Sequence, residues 1–207
     1  MRIAFLTPEY PSELPDAGGL ATYVHRMAHL LVSFGHEAEV FVSSEGNSET
    51  VMDRGVLLHR VNVRQNQLLT YRIVRSLAYR IANAAQASSV SLLLLPWLFQ
   101  AKALAAAMER RHSQAPFQLV QSADYQATGL FVRRCPERRH VVRCSVASDL
   151  YASTDRYYSR FKNMRGYLER RVMRAADFTY APSRYLAEHF RNNYKIDVGV
   201  IRPPRTF

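Results

Sequence analysis

Apolar and polar positions along this chain fall into a repeating strand-then-helix rhythm. A short apolar strand, Arg2 to Leu6, starts directly after Met1 and runs into a Pro-, Asp- and Gly-containing loop from Thr7 to Gly19. Gly18-Gly19 then opens a helix in which Leu20, Tyr23, Val24, Met27, Leu30, Leu31 and Phe34 recur at helical spacing, which predicts one buried face. Gly35 stands where a helix C-cap is expected, and Glu37 to Val42 reads as the second strand. Val56 to Val63 is the third, after a polar loop holding Gly46 and Gly55. Residues 67–87 carry Leu69, Ile73, Leu77 and Ile81 at a four-residue step, which predicts a helix. Another is expected from about Leu93 to His112, entered or interrupted near Pro96.

The rhythm continues in the second half. Phe117 to Gln121 reads as a strand, and Asp124 is placed to cap a helix running through Val132. Arg139 to Cys144 is the next strand. A polar loop leads to a helix near Arg160 to Ala175 with Phe161, Met164, Leu168 and Val172 inward. Phe178 to Ala181 is a short strand, Ser183 caps a helix to about Tyr194, and Val198 to Ile201 is the last strand. Repeated units of this kind predict an α/β fold: a doubly wound, mostly parallel Rossmann-like sheet with helices on both faces. Residues 1–201 suit one well-cored domain, and the Pro203-Pro204 pair within 202–207 reads as the start of a stiff connection.

Charge changes the picture more than composition does. Of the 207 residues 28 are basic and 17 acidic, a formal +11, and 25 of the basic residues are arginine. Arginine pairs bidentately with phosphate and carboxylate, so polyanionic partners are expected. Cys135 and Cys144 lack CxxC spacing and are read as reduced thiols of a cytoplasmic protein. The longest apolar run, Val90 to Phe99, is interrupted by Ser91 and Pro96 and is well short of the ~20 residues of a membrane span.

The glycine pair has a specific chemical use. Glycine lets backbone approach a ligand closely, and a helix N-terminus offers free N–H groups to an anion. A turn with no ligand would use the same residues. The G-x-G-x-x-G dinucleotide fingerprint is absent. His25 and His29 stand at i, i+4, but no nearby carboxylate along the chain completes a ligand set, so no metal and no cofactor are expected. Ser122, Ser145 and Ser183 lack a G-x-S-x-G elbow.

Two stretches carry a resemblance. Arg2-Ile3-Ala4-Phe5-Leu6-Thr7-Pro8-Glu9-Tyr10-Pro11, Gly18-Gly19-Leu20-Ala21-Thr22-Tyr23-Val24 and Gly35-His36-Glu37-Ala38-Glu39-Val40 form the first. Leu168-Glu169-Arg170-Arg171, Arg174-Ala175-Ala176-Asp177 and Ala181-Pro182-Ser183-Arg184-Tyr185-Leu186-Ala187 form the second. Together they resemble the N-terminal, acceptor-side domain of retaining GT-B glycosyltransferases of the group 1 / family 4 type. The resemblance implies transfer of a sugar from a nucleotide-sugar to a hydroxyl acceptor, a glycan, a polysaccharide or a lipid-linked molecule. It also implies a second, donor-binding lobe after Val200-Ile201-Arg202-Pro203, without which this lobe is expected to be inactive.

By resemblance, Gly18 and Gly19 meet the donor diphosphate, the nucleotide-sugar being a substrate rather than a cofactor. Tyr10 and Asp16 border that loop on the acceptor side, and Asp124 and Tyr125 match a strand-end position near the acceptor. In Val141-Val142-Arg143-Cys144-Ser145, family members often place a histidine where Ser145 stands. A hydroxyl is a poor proton acceptor at neutral pH, so no catalytic residue is assigned there. Arg143 and Ser145 remain acceptor-side candidates.

Basic residues cluster between Arg133 and Arg174, with Tyr151, Tyr157, Tyr158 and Phe161 interleaved. Arg133, Arg134, Arg138 and Arg139 are candidates for facing an anionic membrane, peripherally at the inner face of the cell membrane. A solvated basic face is the plain alternative. No RNP, helix-turn-helix or KH pattern supports nucleic acid. The competing reading of the whole chain is a free-standing basic α/β module that docks on an anionic membrane or a protein partner.

Overall fold

The computed structural model describes all residues except 15–17, 64–89, 146, 148, 151–155 and 204–207, and omits side chains at 90–93 and 156–163. Eight strands form one sheet: β1 (Arg2–Thr7), β2 (Glu37–Ser44), β3 (Glu49–Asp53), β4 (Val56–Asn62), β5 (Leu119–Ala123), β6 (Arg139–Arg143), β7 (Phe178–Ala181) and β8 (Gly199–Val200). Their spatial order is β3-β4-β2-β1-β5-β6-β7-β8. All neighbours pair in parallel except β3 and β4, an antiparallel hairpin at the edge. Four helices are described: α1 (Gly19–Ser33), α2 (Val90–Gln114), α3 (Arg156–Ala175) and α4 (Arg184–Tyr194).

Strand alternation sends successive side chains to opposite faces, and both faces are covered. Ile3 and Phe5 of β1 pack with Leu20, Tyr23, Val24 and Ala28 of α1. Ala4 and Leu6 face the other way, onto Ala103, Leu104 and Met108 of α2. A further cluster joins Val142 and Ala181 to Val172 and Met173 of α3 and to Leu186 and Phe190 of α4. The doubly wound expectation holds. β1 sits centrally, with chain order running outward through β2 and β4 on one side and β5 to β8 on the other. The β1/β5 boundary is therefore the topological switch point, the place where open α/β sheets generally bind ligands at their strand carboxyl ends.

Several local expectations change. Glu49–Asp53 is a strand rather than loop; its residues are largely exposed, as on a polar edge strand, and carry no alternation to read. α1 ends at Ser33, one residue before the expected end, with Phe34 as its C-cap and 69% exposed instead of buried, and Gly35 follows at φ +78°, a left-handed position that suits glycine. α2 runs unbroken through Pro96. Asp124 caps only a 3₁₀ turn, Tyr125–Ala127, because Gln126 and Ala127 take left-handed φ values of 56° and 50° that stop helix growth. Met164 is exposed on α3, not inward. The helix expected over 67–87 lies outside the described residues.

Candidate functional site at the strand carboxyl ends

The first part of the site is the start of α1. Gly18 is the N-cap residue, with φ −75° and ψ −170°, no side chain caps the helix, and its first turn holds no acidic residue. The free N–H groups are thus uncompensated by their own helix. Neither glycine has a positive φ. A Cβ on Gly19 would meet nothing within 4 Å, and one on Gly18 would meet only Glu9 Oε2, at 3.7 Å. Both residues are exposed. The fold itself does not demand glycine at either position.

The second part lies at the tips of β5 and β6. Asp124 is fully buried; its Oδ1 accepts hydrogen bonds from the Tyr125 and Ser145 amides, each at 2.7 Å. Its own amide donates to the Arg143 carbonyl at 3.1 Å, so this residue ties the two strand ends together. Oδ2 has no hydrogen-bond partner among the described residues. Burial, reinforced by the Glu169 carboxylate, pushes the pKa of Asp124 up to about 7, against the pull of the two amides and of Arg143. A carboxyl in that state exchanges a proton near neutrality.

Arg143 connects the two parts. Its guanidinium stacks 4.0 Å over the Tyr23 ring, one turn into α1, and donates from Nη1 to Ser145 Oγ at 3.0 Å. It is 8% exposed and makes no salt bridge among the described residues. Tyr23 shares a 2.6 Å hydrogen bond with the Tyr180 hydroxyl, which in turn donates to Gln121 Oε1 at 2.9 Å. On the other side Arg165 of α3 lies 5.1 Å from both the Tyr125 and the Trp97 rings and bonds Glu169 at 3.0 Å. Cation–π contact and charge-assisted bonds thus lock α1, α2 and α3 onto the strand tips.

Beside these groups a polar cleft of about 670 Å³ opens at the ends of β1, β2 and β4. Glu13, Ser44, Glu45, Arg60, Pro96 and Gln100 contribute to its lining. Arg60 bridges Glu13 at 2.7 Å and Glu49 at 2.6 Å, anchoring the loop after β1. Gln100 reaches Gln126 at 3.1 Å, linking the cleft wall to the turn after Asp124. The size suits a small ligand, and the hydrogen-bonding lining suits a polyhydroxylated one.

Of the sequence candidates, Gly18, Gly19, Asp124, Tyr125, Arg143 and Ser145 do lie along the strand carboxyl ends. Tyr10 does not reach an acceptor: it is 1% exposed, its ring packs in the α1 core, and its hydroxyl donates to Asp53 at 2.8 Å. Asp16 lies outside the described residues. Arg138 is no membrane contact. It is 2% exposed and forms a bidentate pair with Glu109 at 2.6 and 3.1 Å, because the turn after Arg134 folds its side chain onto α2. Arg133 and Arg134 are exposed, as is Arg139, which opens β6 at the end opposite the site and approaches Asp177 at 3.6 Å. Ser122 pairs with His140 at 2.9 Å, but both are buried beneath Gly129, and burial pushes His140 down to about 4. That pair is structural.

Sequence reading missed Tyr23, Tyr180, Gln121, Arg165 and Trp97. Tyr23 sat on the apolar stripe of α1 and read as core; its hydroxyl, which needs a buried partner, was the available signal. Asp53 was missed too. It stands against His25 and His29, so a carboxylate does complete that set, brought there by the unread β3–β4 hairpin.

The glycosyl transferase 4-like domain family matches residues 18–203. No curated protein sequence matches the chain. Among solved structures, sucrose-phosphate synthase from Thermosynechococcus elongatus is similar with a TM-score of 0.63 at 11% identity, covering 97% of this chain and 47% of that one. Phytolacca americana UGT2, solved with UDP-2-fluoro-glucose and pterostilbene, gives 0.61 at 10% identity, covering 100% and 54%. Trehalose 6-phosphate synthase from Burkholderia multivorans gives 0.52 at 18% identity, covering 92% and 41%. The chain spans about half the length of these relatives, and at such identities the likeness is one of fold.

Proposed function

The chain belongs to the glycosyl transferase 4-like domain family, and from that premise we propose that it is the acceptor-side lobe of a retaining glycosyltransferase. The observation that carries this reading is the start of α1. Two exposed glycines with ordinary backbone angles and open space above them leave uncapped amides at the sheet's switch point. A diphosphate approaching that helix end needs the missing Cβ atoms; the fold does not.

In this reading the nucleotide-sugar is held mainly by a second lobe, and the α1 amides stabilise charge developing on the leaving diphosphate. The acceptor hydroxyl enters over the polar cleft lined by Glu13, Ser44 and Arg60. Arg143 and Tyr23 fix the strand tips between them. Ser145 is no base, because a neutral hydroxyl is too weak a proton acceptor near pH 7; its oxygen is oriented by the bond it accepts from Arg143. Asp124 is a positioning residue, holding the Ser145 and Tyr125 amides. Transfer then depends on placement and electrostatics rather than on a base from this lobe.

The test is release of nucleoside diphosphate from a panel of nucleotide-sugars, with glycan and lipid-linked acceptors. It is run on this chain and on any longer product of its gene. The chain alone should not turn over, whereas a two-lobed product should transfer with retained anomeric configuration. A two-lobed product that neither hydrolyses nor transfers any donor would overturn the reading. Binding of the chain to anionic vesicles, lost on charge reversal at Arg133, Arg134 and Arg139, would instead favour the docking-module alternative. Among the described residues no helix is long and apolar enough to cross a membrane.

A further inference from the structure

Away from the strand carboxyl ends, α1 and the β3–β4 turn bring together two imidazoles and a carboxylate. His25 Nε2 lies 3.8 Å and His29 Nε2 3.7 Å from the same oxygen, Asp53 Oδ2. One ligand atom from each residue falls within 4.8 Å of the other two. Side-chain exposures of 35%, 20% and 31% leave the group reachable from solvent without making it loose. The helical i, i+4 step puts both rings on one face, 4.2 Å apart between centroids. The turn is held close: Gly55, at φ +92°, lies where a Cβ would meet Val32 of α1 at 2.9 Å.

The hydrogen bonds of His29 give the second observation. Its Nδ1 lies 2.7 Å from the His25 carbonyl, and its Nε2 lies 3.2 Å from the Asp53 carbonyl. Both neighbours are acceptors, yet a neutral imidazole has a single N–H. With the proton on Nδ1, donated to the closer carbonyl, the Nε2 lone pair faces the Asp53 carbonyl and carboxylate oxygens. A backbone carbonyl holding Nδ1–H is also the usual support of a metal-bound histidine. A cation placed among Nε2 of both rings and Oδ2 of Asp53 resolves the opposed lone pairs.

We infer that His25, His29 and Asp53 bind a divalent transition ion of the zinc type. Two imidazoles and one carboxylate suit that class, with water completing the shell. Donor atoms on a tetrahedral ion with bonds of about 2.0–2.1 Å stand about 3.3 Å apart, so each carboxylate contact closes by roughly half an ångström and the imidazole pair, within 4.8 Å, by up to about 1.5 Å. The ion clips α1 to the edge hairpin. Tyr10 donates to the same Oδ2 at 2.8 Å, so occupancy is transmitted to the loop after β1 that lines the polar cleft. This site is independent of the transferase reading and of the donor.

Chelator-treated, untagged protein is titrated with Co²⁺ and followed by visible absorption, then competed with Zn²⁺, with thermal unfolding recorded alongside. One Co²⁺ per chain should bind, Zn²⁺ should displace it, and Zn²⁺ should raise Tm. His29→Ala and Asp53→Asn should each weaken binding at least about tenfold, a loss of the size seen on removing supporting groups of metal sites. The half-exposed His25→Gln variant, checked for native circular dichroism, guards against misfolding of the other two. His36→Ala, outside the group, should bind like the parent. Absence of stoichiometric uptake by the folded parent overturns the inference, including the case where the histidines merely protonate against Asp53. So does uptake unchanged in all three ligand variants.

Discussion

Two buried carboxylates, Glu39 in β2 and Asp124 at the tip of β5, are handled in opposite ways by the same sheet. Glu39 is saturated: Arg111 binds it bidentately at 2.9 and 3.1 Å, His59 at 2.7 Å, and Arg2 approaches at 3.1 Å. Burial alone would raise its pKa, but these partners hold it at about 2. Asp124 has two amides on one oxygen and nothing on the other among the described residues, and sits at about 7. Complete pairing marks a charge kept for architecture. Incomplete pairing among the described residues leaves burial to dominate at Asp124 and raises its pKa.

The sharpest way to break this contrast is Glu39→Ala. It strands two arginines and a histidine that are only partly solvated, and should cost about 3 kcal/mol in urea unfolding, the low end for breaking a buried pair. Next comes pH. Glu39 is depressed from 4.5, so the stability it contributes is present above about pH 4.5 and lost as pH falls toward 2. Asp124 is raised from 3.8, so its contribution is fullest below about pH 4 and lost as pH rises through 7. Asp124→Asn should therefore flatten the stability profile between pH 4 and 7 while leaving the acid limb intact; an unchanged slope would place the raised pKa elsewhere.

Smaller effects sharpen the comparison from the ligand side. Gly19→Val should leave Tm nearly unchanged, because nothing lies within 4 Å of its Cβ. In a two-lobed product of the kind proposed above, it should reduce kcat/KM for the nucleotide-sugar at least about tenfold, roughly 1.4 kcal/mol. Equal kinetics would mean that no phosphate meets this helix end. Tyr23→Phe removes the 2.6 Å bond to Tyr180 and should cost about 1 kcal/mol. Its loss should appear in stability before it appears in turnover.

The sheet was legible where burial is two-sided. β1 read as an apolar strand, β2 and β7 were also read as strands, and the α1 stripe was found through Leu20, Tyr23 and Val24. β3 was not legible, because an edge strand facing solvent has no pattern to show; with it went Asp53 and the partner of the two histidines. Gln126 and Ala127 carry no sequence sign of left-handed backbone, so the turn after Asp124 read as a helix. Arg138 and Arg143 show the limit of counting charge. Both lie in one basic run, yet each is buried by tertiary contacts that composition does not encode. At the site, residue chemistry was readable for the glycines and Asp124, whereas the network through Tyr23, Tyr180 and Arg165 exists only once distant helices meet.

The central place of β1 has a consequence for how the chain is made. Its one edge pairs with β2, which follows shortly, whereas its other edge waits for Leu119–Ala123. On a ribosome adding about 5–20 residues per second, that edge stays unpaired for seconds while β2, β3 and β4 are already available. The amino-terminal half, with its own core against α1, is thus a natural first folding unit. Until β5 arrives, a nascent chain presents the middle of its future sheet as an open template. Interruption of synthesis after Asn62 should therefore yield an aggregation-prone species rather than a soluble fragment.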